Sequence, residues 1–380
     1  MKYVKESQSN ILKNKISENH YWNKTLHFRK YPNGIILPYN SRIGYLTGGV
    51  INSEGIFIED SALHEEYYDG SYKFEEKEII FNNRDAVFLG TWIGVYGHAI
   101  TDNIKKLWFL NTPEFRELFM DKEVDLLFNF LGEKVPSYIY DILDLLGIEK
   151  DRIKRAINIQ KYNNVFVPDN SLILHKKTRY YTNEYKNLID KIIANCRECK
   201  FCEKINSNKI YLTRSKLNDR KDFGENKIEN DFKKSGWTII SPENYSIQNQ
   251  VNIYQSCNVI ACTEGSISHN LLFCNEGTEA VLLRKADFIN GYQVMINEMK
   301  KLKVTYIDAH HTIKKKKQPW SGPFFLWETK YFNSYFGIRG EKNRWLSALW
   351  YLYLLRICRI YVGKKKQNFM NIIKKLCQKI

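Results

Sequence analysis

The chain has 380 residues, 43% of them hydrophobic and 14% aromatic. That is enough apolar side chain to fill two packed cores, and too much for a disordered segment. Formal net charge is +16, but ten of the 58 Lys and Arg, and no Asp or Glu, fall between Lys342 and Ile380. The other 48 basic residues face 42 acidic ones, so the body is nearly balanced and the C-terminal segment holds most of the excess.

The opening residues MKYVKESQSNILKNKISENHYW contain no continuous apolar run of the kind a secretory signal needs. No stretch of about 18 uninterrupted apolar residues occurs anywhere, which argues against a membrane-spanning helix. Residues 1–85 are rich in Tyr, Asn and Gly, with alternating patches such as GIFIED, and predict an irregular α/β or β-rich region with antiparallel strands. From 86 onward the pattern is α/β: AVFLG reads as a strand, HAITDNIKKLWFL (98–110) as a helix, VDLLFNFLG as a strand, PSYIYDILDLLG as a helix and NNVFVPD as a strand.

The second half is more regular. Strand-like runs KIYLT, WTII, NVIAC and AVLL alternate with the helical patterns ENKIENDFKKSG, SIQNQVNIYQS and SISHNLLFCNEG. Strands alternating with helices of about ten residues predict βαβ units and a parallel sheet, a Rossmann-like domain over 206–325 following another over 86–205.

Without a secretory signal, the cysteines Cys196, Cys199, Cys202, Cys257, Cys262, Cys274, Cys358 and Cys377 read as reduced thiols of a cytosolic protein. CRECKFC repeats a Cys-x-x-Cys spacing, but no fourth ligand comes after it and the segment continues a helical run, so a structural role outweighs a metal site. The pair His310–His311 is read the same way.

Two places could carry chemistry. On a helix over 98–110, His98, Asp102 and Lys105 share one face and Ile100, Ile104 and Leu107 the other. An Asp that orients a neutral His makes a workable general base. The plainer reading is that Asp102 complements the helix dipole and His98 is a surface residue. The second place is the loop in NVIACTEGSISHNLLF, which follows a strand and opens a helix, where open parallel sheets bind ligands. Gly265 permits close backbone approach, Ser266 or Ser268 can cap the helix, and the first free N–H groups form an anion site. Arg214, just past KIYLT, stands at the same sheet edge and could reach a diphosphate. Against this, the loop matches no Gly-x-Gly-x-x-Gly, P-loop or Gly-x-Ser-x-Gly pattern and could be an ordinary βα turn.

The order of these features resembles the core of the glycosyltransferase 61 family, including its bacterial capsular-polysaccharide members. The resemblance rests on Arg214 in YLTRSK, Glu225 with Asn226, SPE at 241–243, Gln250, Gly265 with Ser266, His269 with Asn270, and upstream His98 with Asp102 in WIGVYGHAITDN. It covers roughly residues 86–285. It implies a GT-B-like architecture, two Rossmann-like lobes with a nucleotide-sugar in the second and a glycan or lipid-linked acceptor in the first. It also implies an inverting transfer with Asp102, His98 or Glu264 as the base, and with Arg214, Gly265, Ser266, His269 and Asn270 around the donor diphosphate. Glu225 and Gln250 are further donor-lobe candidates. No Asp-x-Asp occurs, so no metal is expected and leaving-group charge falls to cations and backbone amides.

The segment 326–380 reads as a basic amphipathic helical tail. Trp345 to Leu355 is too short to span a bilayer, but with Arg356, Arg359 and Lys364–Lys366 it suits an interfacial helix on anionic lipid; the alternative is docking on the protein itself. No nucleic-acid module is evident. The expected protein is a cytoplasmic glycosyltransferase, peripheral to the inner face of the plasma membrane, acting in surface polysaccharide synthesis. The competing class is a non-enzymatic, membrane-associated scaffold on a degenerate transferase fold.

Overall fold

The computed structural model describes residues 1–63, 69–120, 123–197, 207–217, 222–310 and 324–338. Cys199, Cys202, His311, Cys358, Cys377 and the 343–380 segment lie outside the described residues, and the expectations placed on them lie there too.

Two sheets organise the described chain. In the first, the long strand Ile79–Ile93 is flanked in parallel by Val124–Leu131 and by Ile159–Pro168, with Ile153–Arg155 beyond Val124–Leu131. Antiparallel strands Phe28–Pro32 and Ile35–Leu37 pair with Ile159–Pro168, and Gly49–Ile51 pairs with Ile35–Leu37. Because Ala86–Trp92 is buried on both faces, this stretch is a continuous apolar run and not an alternating one. Register with Val124–Leu131 shifts between Phe88 and Thr91, at Gly90 with its φ of +92°. The positive φ is what requires glycine there, and the buried Lys106 side chain packs alongside, its ammonium donating to the Pro168 carbonyl.

The second sheet is wholly parallel, in the order Thr238–Ile240, Lys209–Leu212, Val259–Thr263, Glu279–Arg284, Lys303–Asp308. Four of these strands are the predicted apolar runs. The fifth lies at the sheet edge, where a polar, partly exposed first half hides the strand signal. Helices Glu225–Lys234, Ile247–Ser256 and Gly291–Met299 connect the strands. Among the described residues no helix is long and apolar enough to cross a membrane.

One apolar cluster runs through both sheets. Trp92 stacks on Phe128 with centroids 4.0 Å apart, and the cluster continues through Leu107, Tyr185 and Ile192 to Val251, Ile260 and Leu282. Burial of side chains this size contributes roughly 1.5–3 kcal/mol each. Helix Asn183–Arg197 buries Leu188, Ile189, Ile192 and Ile193 against helices Ser137–Leu145 and Ile247–Ser256, tying the two halves together. The N-terminal residues do not stay with the first sheet: the Lys5 N–H donates to Asp308 Oδ2 at 2.7 Å, at the edge of the second. Helix Lys330–Tyr335, at the start of the predicted tail, packs Phe332 into a smaller core with Tyr211 and Ile307.

Candidate active site

Beyond Ile93, Tyr96–Ala99 makes one helical turn and Asp102–Ile104 a 3-10 turn. The continuous helix expected over 98–110 does not form. The Asn103 side chain brackets Ile93, accepting from its N–H at 2.9 Å and donating to its carbonyl at 3.1 Å, and Thr101 sits at φ −119°, ψ −81°, outside the helical region. Asn competes for backbone groups in this way, which weakens helix interiors. Ile100, Ile104 and Leu107 are buried as the periodicity predicts, but Lys105 is buried with them.

The His98–Asp102 pair forms on this irregular backbone, with Nδ1 2.5 Å from Oδ2. A carboxylate only accepts, so Nδ1 donates, and Nε2 has no hydrogen-bond partner among the described residues. Asp102 Oδ2 also accepts from Tyr292 Oη at 2.6 Å and from Thr101 Oγ1 at 3.3 Å, while Arg179 Nη1 lies 3.7 Å from Oδ1. The Arg179 guanidinium stacks 3.6 Å from the Tyr292 ring centroid. Burial opposes charge on Asp102, but the His98 hydrogen bond and the Arg179 charge outweigh it and hold the carboxyl far below the usual range. Arg179 and Tyr292 have no local motif. They arrive from strand Thr178–Tyr181 and helix Gly291–Met299, and only the folded chain unites them with Asp102.

The 263–270 loop faces this pair. Gly265 adopts φ +127°. Ser268 Oγ accepts from the Gly265 N–H at 3.2 Å and donates to its carbonyl at 2.8 Å, so it closes the turn rather than capping a helix. The next element, Ser268–Phe273, is a 3-10 helix and not the predicted α-helix. No described residue accepts from the Ser266 or Ile267 N–H. Burial first, and the nearby His98 second, push the His269 imidazole down to about 4, so it is neutral at pH 7. Its Nε2 lies 3.2 Å from Asn290 Nδ2, and its Nδ1 lies against the Gly97 backbone without a well-formed hydrogen bond. A Cβ on Gly97 would stand 2.9 Å from both His269 Nδ1 and Ser266 Oγ, so the two halves touch closely here.

Beside this contact opens a cavity of about 600 Å³. Val95, Tyr96, Tyr138 and Asp141 line it from the first half, and Arg214, Glu243, Tyr245, Gln250, Ser266 and Asn270 from the second. Tyr96 Oη lies 2.6 Å from Asn270 Oδ1 and 3.2 Å from Gln250 Oε1. The Asn270 Nδ2 is buried and makes no hydrogen bond among the described residues.

The remaining candidates sit behind these walls. Glu225 lies beneath Arg214, accepting from its backbone N–H at 3.1 Å and from Tyr211 Oη at 3.2 Å. Burial, then repulsion from Asp222, pushes Glu225 up to about 7. Glu264 is not a lining residue; its carboxylate lies 3.9 Å from Nε of the fully buried Arg284. Burial raises Glu264 to about 7 against the pull of Arg284 and Lys285.

The family model of glycosyltransferase 61 matches residues 96–281, from the cavity wall at Tyr96 into strand Glu279–Arg284. Over those residues the chain is similar to the glycosyltransferase 61 family. No curated protein matches it. That family implies glycosyl transfer between a donor and an acceptor. The matched span contains every predicted site residue: His98 and Asp102 meet the 265–270 loop across Gly97, Arg214, Gln250, Ser266 and Asn270 share the cavity, and Glu225 and Glu264 lie outside that cavity.

Proposed function

We propose that the protein is a GT-B-like, inverting, metal-independent glycosyltransferase. It moves a sugar from a nucleotide-sugar to a glycan or lipid-linked acceptor in surface-polysaccharide synthesis. The observation that carries this reading is the cavity between the halves, lined by Arg214, Ser266 and Asn270 and bordered through Gly97 by the His98–Asp102 pair. Its volume suits a bound nucleotide-sugar.

In the proposed reaction, His98 Nε2 takes the proton of the acceptor hydroxyl. The acceptor oxygen bonds to the anomeric carbon as the bond from that carbon to the diphosphate oxygen breaks. The electron pair leaves with the nucleoside diphosphate, whose charge meets Arg214 and the unengaged Ser266 and Ile267 N–H groups. Asp102, held as an anion by Tyr292 and Arg179, orients the imidazole and stabilises the imidazolium. The base is assigned to His98 over Glu264 because a third of the His98 side chain is exposed, against 8% for Glu264.

The test is thermal denaturation of the full chain with UDP, GDP, CDP and CMP, followed by a search for nucleotide release from the matching sugar donors. A rise in Tm with micromolar-to-millimolar nucleotide is expected. A flat response across the panel overturns the reading in favour of a non-enzymatic role. A cytoplasmic, membrane-peripheral location through residues 343–380 is part of the proposal. Equal liposome flotation with and without that segment would remove it.

A further inference from the structure

Lys285 stands one residue past the buried end of strand Glu279–Arg284, at the edge of the second sheet where Arg214 and Gly265 also lie. Its ammonium is 3.1 and 3.2 Å from the two oxygens of Asp222. Arg214 Nη1 approaches the same carboxylate at 3.8 Å. On another side the ammonium lies 4.5 Å from the Phe324 ring centroid. It is also 3.3 Å from where a Cβ on Gly265 would stand. The Lys285 side chain is 11% exposed and that of Asp222 only 1%.

Two cations therefore share one buried carboxylate, next to a turn that the lysine overlies. One carboxylate balances one of them. Glu225 beneath Arg214 completes the balance only in part, because burial and Asp222 push its carboxyl up to about 7 and leave it about half ionised at neutral pH. Arg214 keeps 28% of its side chain exposed at the cavity, whereas Lys285 is withdrawn to 11%, and withdrawing it beside another cation is unfavourable unless something completes its charge. An ammonium has three N–H donors, and two of them suffice for the Asp222 oxygens.

We propose that Lys285 is a second cation of the donor site, held beside Arg214 by Asp222, and that it takes a phosphate oxygen of a nucleoside diphosphate. The proposal rests on the nucleotide-sugar reading above. It gives Gly265 a second duty: any side chain there would crowd the ammonium as well as strain a φ of +127°.

Calorimetric titration of the full chain with UDP, GDP, CDP and inorganic pyrophosphate tests it, with Lys285→Ala, Lys285→Arg and, as an exposed control at the opposite end of the sheet, Lys303→Ala. Losing one charge-assisted hydrogen bond should weaken diphosphate and pyrophosphate roughly ten- to hundredfold. Binding of the matching nucleoside should be unchanged, Lys285→Arg should recover most of the affinity, and the Lys303 variant should match wild type. Lys285→Ala leaves Asp222 short of a partner, so Lys285→Ala with Asp222→Asn serves where the single variant unfolds; it too should lose pyrophosphate. Equal affinity in wild type and a folded Lys285→Ala protein overturns the proposal. If wild type takes pyrophosphate but no nucleoside diphosphate, and Lys285→Ala abolishes it, the lysine is an anion ligand and the nucleotide-sugar reading falls instead. If wild type takes neither, both fall.

Discussion

Two carboxyl groups stand at the 263–270 turn, Asp102 partly buried against it and Glu264 buried within it, and they differ in a way that bears on the choice of base. Asp102 is surrounded by His98, Tyr292 and Arg179 and stays ionised far below the usual carboxyl range. Glu264 has a single cation at 3.9 Å and is pushed up to about 7, the value a general base is expected to have. On titration alone Glu264 would be the better base. Access reverses the order, because Glu264 is sealed against Arg284 while the His98 side chain is a third exposed and its Nε2 has no partner among the described residues. A carboxyl near neutrality marks a desolvated acid, and only reach to a substrate makes it a catalyst.

The comparison breaks most readily at His98. His98→Ala should lower turnover by about 10²–10⁴-fold while leaving nucleoside diphosphate affinity within about twofold, measured by donor turnover and calorimetry. Asp102→Asn removes the anion that orients the ring and should cost roughly ten- to hundredfold in kcat, with KM for the donor little changed. Unchanged kcat in both variants would hand the base role to another group. Gly265→Ala should weaken nucleotide binding by about tenfold and lower Tm, because the residue sits at φ +127° against Lys285.

Glu264→Gln is the mildest and sharpens the contrast through pH. The Glu264 carboxyl is raised from 4.5 to about 7 on folding. Its contribution to stability is therefore full below pH 4.5 and is lost as pH rises through about 7. This amounts to about 3 kcal/mol. Denaturation between pH 4.5 and 8 should show wild type losing stability across that window. Glu264→Gln should flatten the slope in part, Glu225 retaining the rest because it too is raised to about 7. Turnover of Glu264→Gln should stay near wild type; a loss matching that of His98→Ala would move the base to Glu264.

Legibility followed burial. Runs such as KIYLT and NVIAC became central parallel strands because both faces are covered and apolar residues run without interruption. Lys303–Asp308 escaped because a sheet edge tolerates a polar outer half. The 98–110 segment has the spacing of a helix and lacks one because Asn103 spends both ends of its amide on Ile93, a contact no periodicity encodes. At the site, the sequence pointed to His98, Asp102, Arg214 and the Gly265 loop, each beside a strand end or a recognisable order of motifs. Tyr292, Arg179, Asp222 and Lys285 carried no such mark, since a single tyrosine or lysine gains meaning only from the chain brought against it.

The bond from the Lys5 N–H to Asp308 has a consequence for how the molecule assembles. Its partners are 303 residues apart, and Asp308 also receives the buried Arg284 at 2.6 Å. The residue that neutralises an arginine deep in the second sheet is thus fastened by a segment 303 residues away in sequence. A closure of that span is slow and comes late. The edge of the second sheet is therefore complete only once residues near 5 and near 308 have met.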